Sequence, residues 1–234
     1  MPLRAVIFDF DGVIVDTEPM HLKAAQRVLA DAGIALDAQE YYQQYLGFDD
    51  AGMFRAIAAD RRVTLDGRAV ADLVDRKSHV LISLIDEGVA VFAGATACVR
   101  RCAAEVPLAI ASGALGREID MILRRIGLRD AFQVIVGAED ASHSKPAPDP
   151  YVRAVELLRG VVARNELAAN ECVAIEDSHW GLESARAAGV RCVAVAHTYP
   201  PDSLRGADVV VQTLDDITLD RLRQICEDRK RRRR

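Results

Sequence analysis

Short apolar segments rich in β-branched residues alternate with stretches of helical periodicity along most of this sequence. Each apolar segment has the pattern of a fully buried strand, and stretches such as DPYVRAVELLRGVV place apolar residues at helical spacing. This alternation predicts an α/β fold in which a doubly wound, mostly parallel sheet carries helices on both faces. The predicted strands are AVIFDF (5–10), PLAIAS (107–112), VIVGAE (134–139), CVAIED (172–177), RCVAVA (191–196) and ADVVV (207–211).

The alternation is interrupted after the first predicted strand. From Thr17 to about Gly88 the periodicity is helical throughout, so we predict an inserted all-helical domain, the cap, with DTEP and GVAVFAG as its two hinges. The predicted domains are 1–16 with 89–228 for the α/β core, 17–88 for the helical cap, and 229–234 for a basic, disordered tail. Glycines expected to end helices of the cap are Gly33, Gly47, Gly67 and Gly88.

The composition is that of a globular protein. Half of the 234 residues are hydrophobic, which is enough to bury a core. The net charge of -5 argues against a surface that coats nucleic acid, so no nucleic-acid partner is expected. The basic run RKRRRR from Arg229 is a local exception, and such a terminal run is more typical of a solvated end than of a binding segment.

Targeting and cysteine patterns point to a cytoplasmic protein. The N-terminal MPLRAVIFDF lacks the long apolar region of a signal peptide, and no apolar stretch approaches the roughly 20 residues that span a bilayer. The five cysteines contain no C-x-x-C pair and suggest neither a disulfide framework nor a zinc site. We expect no membrane partner, and we expect a monomer.

Polar residues stand at or shortly after the ends of four predicted strands. In an open parallel sheet these ends converge on one edge, where ligands bind. Carboxylates from two strands suit Mg²⁺, one carboxylate can attack phosphorus, and a lysine and a hydroxyl can hold phosphoryl oxygens. The sequence has no G-x-x-x-x-G-K-[ST] loop, so this chemistry would not use a nucleotide cradle. The residues concerned are Asp9, Asp11, Ser112, Lys145, Glu176 and Asp177.

Each of these residues has an ordinary structural explanation when it is taken alone. An Asp after a strand is typical of a turn or helix cap, and a lysine before proline is typical of a solvated loop. Independent structural causes rarely place all of them at the strand ends of one sheet. Their joint occurrence therefore favours a phosphoryl-transfer site.

Four segments carry a family resemblance: DFDGVIVDTEP, IASGA, SKPAPDPY and IEDSHWGLESARAAG, in this order. With these segments the sequence resembles the haloacid-dehalogenase-type phosphohydrolases, in the subgroup with a helical cap after the first motif. That subgroup includes small-metabolite phosphatases and β-phosphoglucomutase. The resemblance covers nearly the whole chain and implies a Rossmann-like core, phosphatase activity and a Mg²⁺ cofactor.

The resemblance also implies a role for the strand-end residues. Asp9 would be the nucleophile that forms an aspartyl-phosphate, and Asp11 the general acid and base. Ser112 and Lys145 would bind the transferring phosphoryl group. Two positions along an extended strand bring side chains to the same side, which suits the pair of Asp9 and Asp11.

A metal site and a phosphate-binding turn are implied as well. Mg²⁺ would be held by the Asp9 carboxylate, the Asp11 backbone carbonyl and Asp177, with Glu176 as a nearby or water-mediated ligand. Gly12 would allow the chain to turn tightly beside the phosphate. Further phosphate donors would be the backbone N–H groups of Asp11, Gly113 and Ala114.

Residues of the cap bear on the reaction type. In the mutase a cap arginine grips a second phosphate, and the aligned position in LGFDDAGMFRAI is Asp50, which would repel one. Arg55 lies about one turn further on and could substitute. His21 and Lys77 resemble a hinge histidine and a cap lysine of the mutase, although both are equally typical of ordinary helix-face residues. We therefore expect a phosphatase that acts on a small phosphorylated metabolite, preferably a sugar phosphate, with a β-phosphoglucomutase-type mutase as the alternative.

A non-catalytic phospho-acceptor switch is a more distant alternative. Receiver-type proteins also place an acidic cluster, a hydroxyl and a lysine on a parallel sheet. The second acid, two residues after the acceptor, and the large insert favour catalysis.

Overall fold

The computed structural model describes residues 2–46, 48–162 and 166–227. The predicted tail, 229–234, and Gly47 lie outside these ranges. The strands are β1 (Ala5–Phe8), β2 (Val15–Asp16), β3 (Ala90–Val91), β4 (Leu108–Ala111), β5 (Val134–Val136), β6 (Cys172–Glu176), β7 (Arg191–Val195) and β8 (Val209–Val211). The helices are α1 (Glu18–Asp31), α2 (Ala38–Glu40, continued by a π-helix over Tyr41–Tyr45), α3 (Asp50–Asp60), α4 (Gly67–Glu87), α5 (Ala95–Ala103), α6 (Gly116–Arg125), α7 (Asp149–Arg159), α8 (His179–Ala187) and α9 (Leu219–Glu227).

Six strands form a parallel sheet in the order β5-β4-β1-β6-β7-β8. The order reverses at β1, because the chain places β4 on one side of this strand and β6 on the other. Ligand sites of doubly wound folds lie at such a switch point, outside the carboxyl ends of the strands. The predicted α/β fold class is confirmed, and the loop after β1 is in the position where a site is expected.

Both faces of the sheet are buried, which explains the continuous apolar runs of its strands. Ala5 and Ile7 belong to a core cluster that includes Tyr151 of α7 and Leu182 of α8. Side chains alternate along a strand, so Val6 faces away from that cluster, and it is completely buried too. The strand pattern of the sequence is thus the result of packing on both sides.

The helices α1 to α4 lie in a second compact unit, Thr17–Val89, which has its own apolar core. Asp49 caps α3 by accepting a hydrogen bond from the Gly52 N–H, over 2.6 Å. Gly33 (φ 73°) and Gly88 (φ 142°) follow α1 and α4 with backbone angles that favour glycine. The expectation that Gly67 ends a helix is wrong: it is the first residue of α4, because the side chain of Asp66 caps that helix.

The chain passes between the two units through a ribbon of two short antiparallel strands. In this ribbon Val15 pairs with Val91 and Asp16 pairs with Ala90. The sequence pattern did not indicate this pair of strands: β3 lies within the predicted hinge GVAVFAG, and β2 overlaps the predicted hinge DTEP only at Asp16. Within the described ranges, no helix has the length and apolar character needed to cross a membrane.

Candidate active site

The first strand delivers Asp9 to the carboxyl edge of the sheet. β1 ends at Phe8, two residues before the predicted end of the strand at Phe10, and Asp11 forms an isolated bridge with Val15. Asp9 is buried, with 8% of its surface exposed, and its Oδ1 accepts a hydrogen bond from the Phe10 N–H over 2.7 Å. The nucleophile predicted from sequence is therefore oriented by a hydrogen bond from the backbone of the next residue, Phe10.

Lys145 joins Asp9 to Glu176. Its Nζ lies 2.9 Å from Asp9 Oδ1 and 2.6 Å from Glu176 Oε1. Burial lowers the Lys145 pKa, but these two carboxylates raise it by more, so the ammonium group stays protonated. A residue directly after β1, a residue of the loop after β5 and the last residue of β6 are thus in direct contact, as expected for strand ends that converge.

Glu176 is completely buried, and protein groups donate to both of its carboxylate oxygens. Oε1 accepts from Lys145 and from the Tyr151 hydroxyl (2.7 Å), and Oε2 accepts from the Ser178 hydroxyl (3.2 Å). Gly181 packs against this carboxylate, since a Cβ atom there would lie 1.9 Å from Oε1. These contacts fix the orientation of Glu176 and satisfy the acceptors of a charge that would be costly to bury alone.

Asp177 lies directly against the turn that follows Asp11. Gly12 adopts φ 79°, and a Cβ atom on it would lie 2.1 Å from Asp177 Oδ2, so only glycine fits here. Burial, followed by repulsion from Glu176, raises the pKa of Asp177 to about 7. Burial and then Glu176 also raise the Asp9 pKa well above its usual range, and Lys145 only partly opposes this shift.

The three acids form a cluster that fits a metal ion. Ligand oxygens of Asp9, Glu176 and Asp177 all lie within 4.8 Å of one another, and the three side chains are buried. Burial, and then repulsion from Glu176, raises the pKa values of Asp9 and Asp177, so the ionised cluster would be stabilised by additional positive charge. A hard cation with oxygen ligands would supply it, so the donor set and the electrostatics both suit a metal.

Ser112 follows β4 and lies beside Asp11. Its side chain is 2% exposed, and its Oγ is 3.5 Å from Asp11 Oδ2, at the outer limit of a hydrogen bond. The same Oγ accepts from the Ala114 N–H over 3.0 Å, so that N–H is engaged within the loop. A Cβ atom on Gly113 would meet no atom within 4 Å, which leaves the turn open.

Three of the four cap residues singled out from sequence contact one another. Lys77 Nζ, in a residue only 1% exposed, lies 2.6 Å from Asp50 Oδ1 and 2.8 Å from His21 Nδ1. Burial, and then the charge of Lys77, lowers the pKa of His21 to about 3, so the imidazole is neutral and Nδ1 accepts the bond. The fourth, Arg55, is exposed on α3, five positions after Asp50.

Several contacts of the site were missed by the sequence reasoning. Tyr151 and Gly181 lie inside helices and act on Glu176 across the fold, so no local pattern indicates them. His197 bonds to the Gly12 carbonyl, and Thr198 bonds to the Asp177 side chain. Both stand just after the predicted strand RCVAVA, where the strand-end argument would have identified them.

Comparisons with known proteins agree with this geometry. A family model for haloacid dehalogenase-like hydrolases matches residues 6–195. Fructose-1-phosphate phosphatase YqaB of Escherichia coli (strain K12) is 30% identical over 190 residues, covering 81% of this chain and 95% of that protein. The β-phosphoglucomutase of Bacillus subtilis (strain 168) is 28% identical over 231 residues, 96% of each chain. The crystal structure of CbbY from Rhodobacter sphaeroides in complex with phosphate has a TM-score of 0.81 at 24% identity, covering 92% of this chain and 96% of that one.

The parallel sheet, its switch point and the acidic edge define an α/β protein with a Rossmann-like core and a site at the carboxyl ends of its strands. The family match extends over most of the sequence, and the chain belongs to the haloacid dehalogenase-like hydrolases. The family resemblance and the hydrolase class predicted from the four sequence segments are confirmed.

Proposed function

We propose that this protein is a Mg²⁺-dependent phosphatase that hydrolyses a small phosphorylated metabolite, with sugar monophosphates as the preferred class. The observation that carries the proposal is the Lys145 ammonium bonded to Asp9, the carboxylate best placed to attack phosphorus. The names of two relatives, a fructose-1-phosphate phosphatase and a β-phosphoglucomutase, support a phosphorylated sugar as substrate.

The first step transfers the phosphoryl group to Asp9. A carboxylate oxygen of Asp9 attacks phosphorus, an O–P bond forms, and the bond from phosphorus to the ester oxygen breaks. Asp11 gives its proton to the departing oxygen. Lys145 and the Ser112 hydroxyl donate to the phosphoryl oxygens, whose charge must be held during transfer.

The second step releases phosphate. Asp11, now a carboxylate, accepts a proton from water, the resulting oxygen attacks phosphorus, and the aspartyl O–P bond breaks. Asp9 is restored as a carboxylate. The hydrogen bond from Lys145 favours the ionised form of Asp9, and it partly offsets the burial and the repulsion from Glu176 that favour the neutral form.

The acidic cluster is the proposed Mg²⁺ site. Asp9, Asp177 and the Asp11 carbonyl would hold the ion, with Glu176 in reach but already bonded on both oxygens. When bound, Mg²⁺ neutralises charge on the phosphoryl group and on the carboxylates around it. The Gly12 turn packs against the Asp177 carboxylate and so helps to hold this side chain in place.

The cap cluster favours a phosphatase over a mutase. Lys77 is ion-paired with Asp50 at 2.6 Å, and the neighbouring His21 is neutral. The cluster therefore carries no excess positive charge with which to hold a second phosphate. A mutase remains the second candidate, because β-phosphoglucomutase is a relative and the contact between His21 and Lys77 is present. In either case the helical unit is proposed to select the substrate, and the protein to act as a cytoplasmic monomer without nucleic acid.

A panel assay tests the proposal. Inorganic phosphate release is measured from p-nitrophenyl phosphate, fructose 1-phosphate, glucose 6-phosphate and glucose 1-phosphate, with Mg²⁺ and with EDTA. We expect Mg²⁺-dependent turnover and a preference within the sugar phosphates. Absence of release from every compound would contradict the phosphatase. Interconversion of the two glucose phosphates only when a glucose bisphosphate is added would establish the mutase instead.

A further inference from the structure

His197 stands just beyond β7 and fixes the turn that follows the two catalytic aspartates. Its Nδ1 lies 3.0 Å from the backbone carbonyl oxygen of Gly12. A carbonyl oxygen can only accept, so Nδ1 carries a hydrogen and donates it. The bond spans strands β1 and β7, which are not neighbours in the sheet, and it ties together two loops of the same edge.

The Gly12 turn is held from its other side as well. Asp177 packs against its Cα, and the Gly12 N–H donates to the Val15 carbonyl over 2.9 Å. The residue before it is Asp11, the proposed general acid. The Gly12 N–H bond holds the Asp11–Gly12 peptide plane, and the His197 bond holds the following Gly12–Val13 plane. Together the two bonds restrict the backbone angles of Gly12, and so limit how the adjoining backbone at Asp11 can move.

The imidazole of His197 is itself fixed by stacking. The Phe92 ring lies parallel to it, with centroids 4.3 Å apart and an interplanar angle of 15°. Phe92 directly follows β3, and its N–H donates to the Ile14 carbonyl over 3.1 Å. The next residue after His197, Thr198, is hydrogen bonded to the Asp177 carboxylate. The two residues His197 and Thr198 therefore contact the Gly12 turn, the residue that follows β3, and a proposed metal ligand.

We infer that His197 is a positioning residue for phosphoryl transfer, acting through its hydrogen bond to Gly12. The inference rests on the proposed phosphatase function. Catalysis by a general acid is sensitive to small displacements, so loss of this bond should reduce kcat while substrate binding is largely kept. If His197 only packed against Phe92, the protein would need an aromatic ring at this position and would not need the hydrogen-bond donor at Nδ1.

Two variants separate these roles. His197→Phe keeps a ring against Phe92 and loses the donor, whereas His197→Asn keeps a donor near the place of Nδ1 and loses the ring. With p-nitrophenyl phosphate and Mg²⁺, we expect kcat of His197→Phe to fall by about tenfold or more with KM within about twofold. His197→Asn should retain kcat within about threefold, even if its melting temperature is the lower of the two.

The inference is overturned if His197→Phe keeps the wild-type kcat, or if His197→Asn loses as much activity as His197→Phe. Should His197→Phe fail to fold, His197→Ala compared with His197→Asn makes the same contrast, because neither has a ring and only asparagine has the donor. A wild-type protein without turnover of any phosphate ester would overturn the proposed function and this inference together. Normal wild-type turnover with an insensitive His197 would overturn the inference alone.

Discussion

The Tyr151 hydroxyl donates a 2.7 Å hydrogen bond to Glu176 Oε1 at a point where both side chains are completely buried. Removing the hydroxyl leaves this oxygen, among the residues that the structure describes, with the Lys145 ammonium as its donor. We expect Tyr151→Phe to lower the free energy of unfolding by about 1–3 kcal/mol, the cost typical of losing a hydrogen bond to a charged group. Urea denaturation measures it, with Tyr42→Phe at a position that is 43% exposed as the matched control. Equal decreases in the free energy of unfolding of the two variants would contradict a stabilising role for the buried Tyr151 hydroxyl.

Asp9→Asn should separate activity from stability. The variant cannot form an aspartyl-phosphate, so kcat should fall by roughly four orders of magnitude or more. Because burial and Glu176 disfavour the ionised Asp9, the neutral amide should leave the stability at pH 7.5 equal or higher. Phosphate release and a thermal melt are measured together, with Asp220→Asn, exposed on α9, as the control. Substantial residual hydrolysis by Asp9→Asn would remove this residue from the nucleophile's role.

Gly181→Ala should be destabilising although it lies inside a helix. Alanine favours helices over glycine by about 1 kcal/mol, but a Cβ at this position would lie 1.9 Å from Glu176 Oε1. Glu176 cannot move without losing its own bonds, so we expect a net loss of about 1–3 kcal/mol or more. Gly160→Ala is the control, since a Cβ there would be 3.4 Å from the Leu157 carbonyl, and its stability should be unchanged or increased. If both variants gain stability, the packing described around Glu176 is wrong.

The stability of the helical unit should decrease in acid through His21. Its pKa is about 3 in the folded protein, as against about 6.5 when unfolded, so below pH 6.5 the unfolded chain binds a proton that the folded chain does not. The resulting loss begins as the pH falls below 6.5 and grows until about pH 3, at about 1.4 kcal/mol per pH unit when fully developed. Thermal melts from pH 7.5 to 4.5 should therefore show a smaller decline for His21→Asn, whose amide oxygen can still accept from Lys77. If the melting temperatures of the wild type and of His21→Asn decline equally with falling pH, His21 does not contribute to the loss of stability in acid.

The main features of the fold were accessible from sequence because the parallel strands are buried on both faces and leave continuous apolar runs. Their ends were less accurate. AVIFDF was expected to be extended as far as Phe10, yet β1 ends at Phe8. The Asp9 N–H still donates to the Ile175 carbonyl of β6, but the Phe10 carbonyl accepts from the N–H groups of Ile14 and Val15 in a turn instead of from a neighbouring strand. The ribbon of Val15–Asp16 and Ala90–Val91 is only two residues per strand, too short for any periodicity.

The strand-end argument brought together residues that the structure places in contact, such as Asp9 and Lys145, although their roles remain predictions. It did not indicate Tyr151 or Gly181, whose contacts with Glu176 depend on how helices pack over the sheet. Nor did it indicate that Asp50 neutralises Lys77, because the two residues are on different helices and only the packed unit joins them.

The pairing of Asp16 with Ala90 places the departure and the return of the chain side by side. Directly paired residues on antiparallel strands have Cα atoms only about 5 Å apart, a gap that a tight turn of a few residues can close. The helical unit is therefore an insertion whose two ends join the α/β unit at adjacent positions. Evolution can shorten, lengthen or replace it between two adjacent anchor points while the sheet and its acidic edge keep their covalent path.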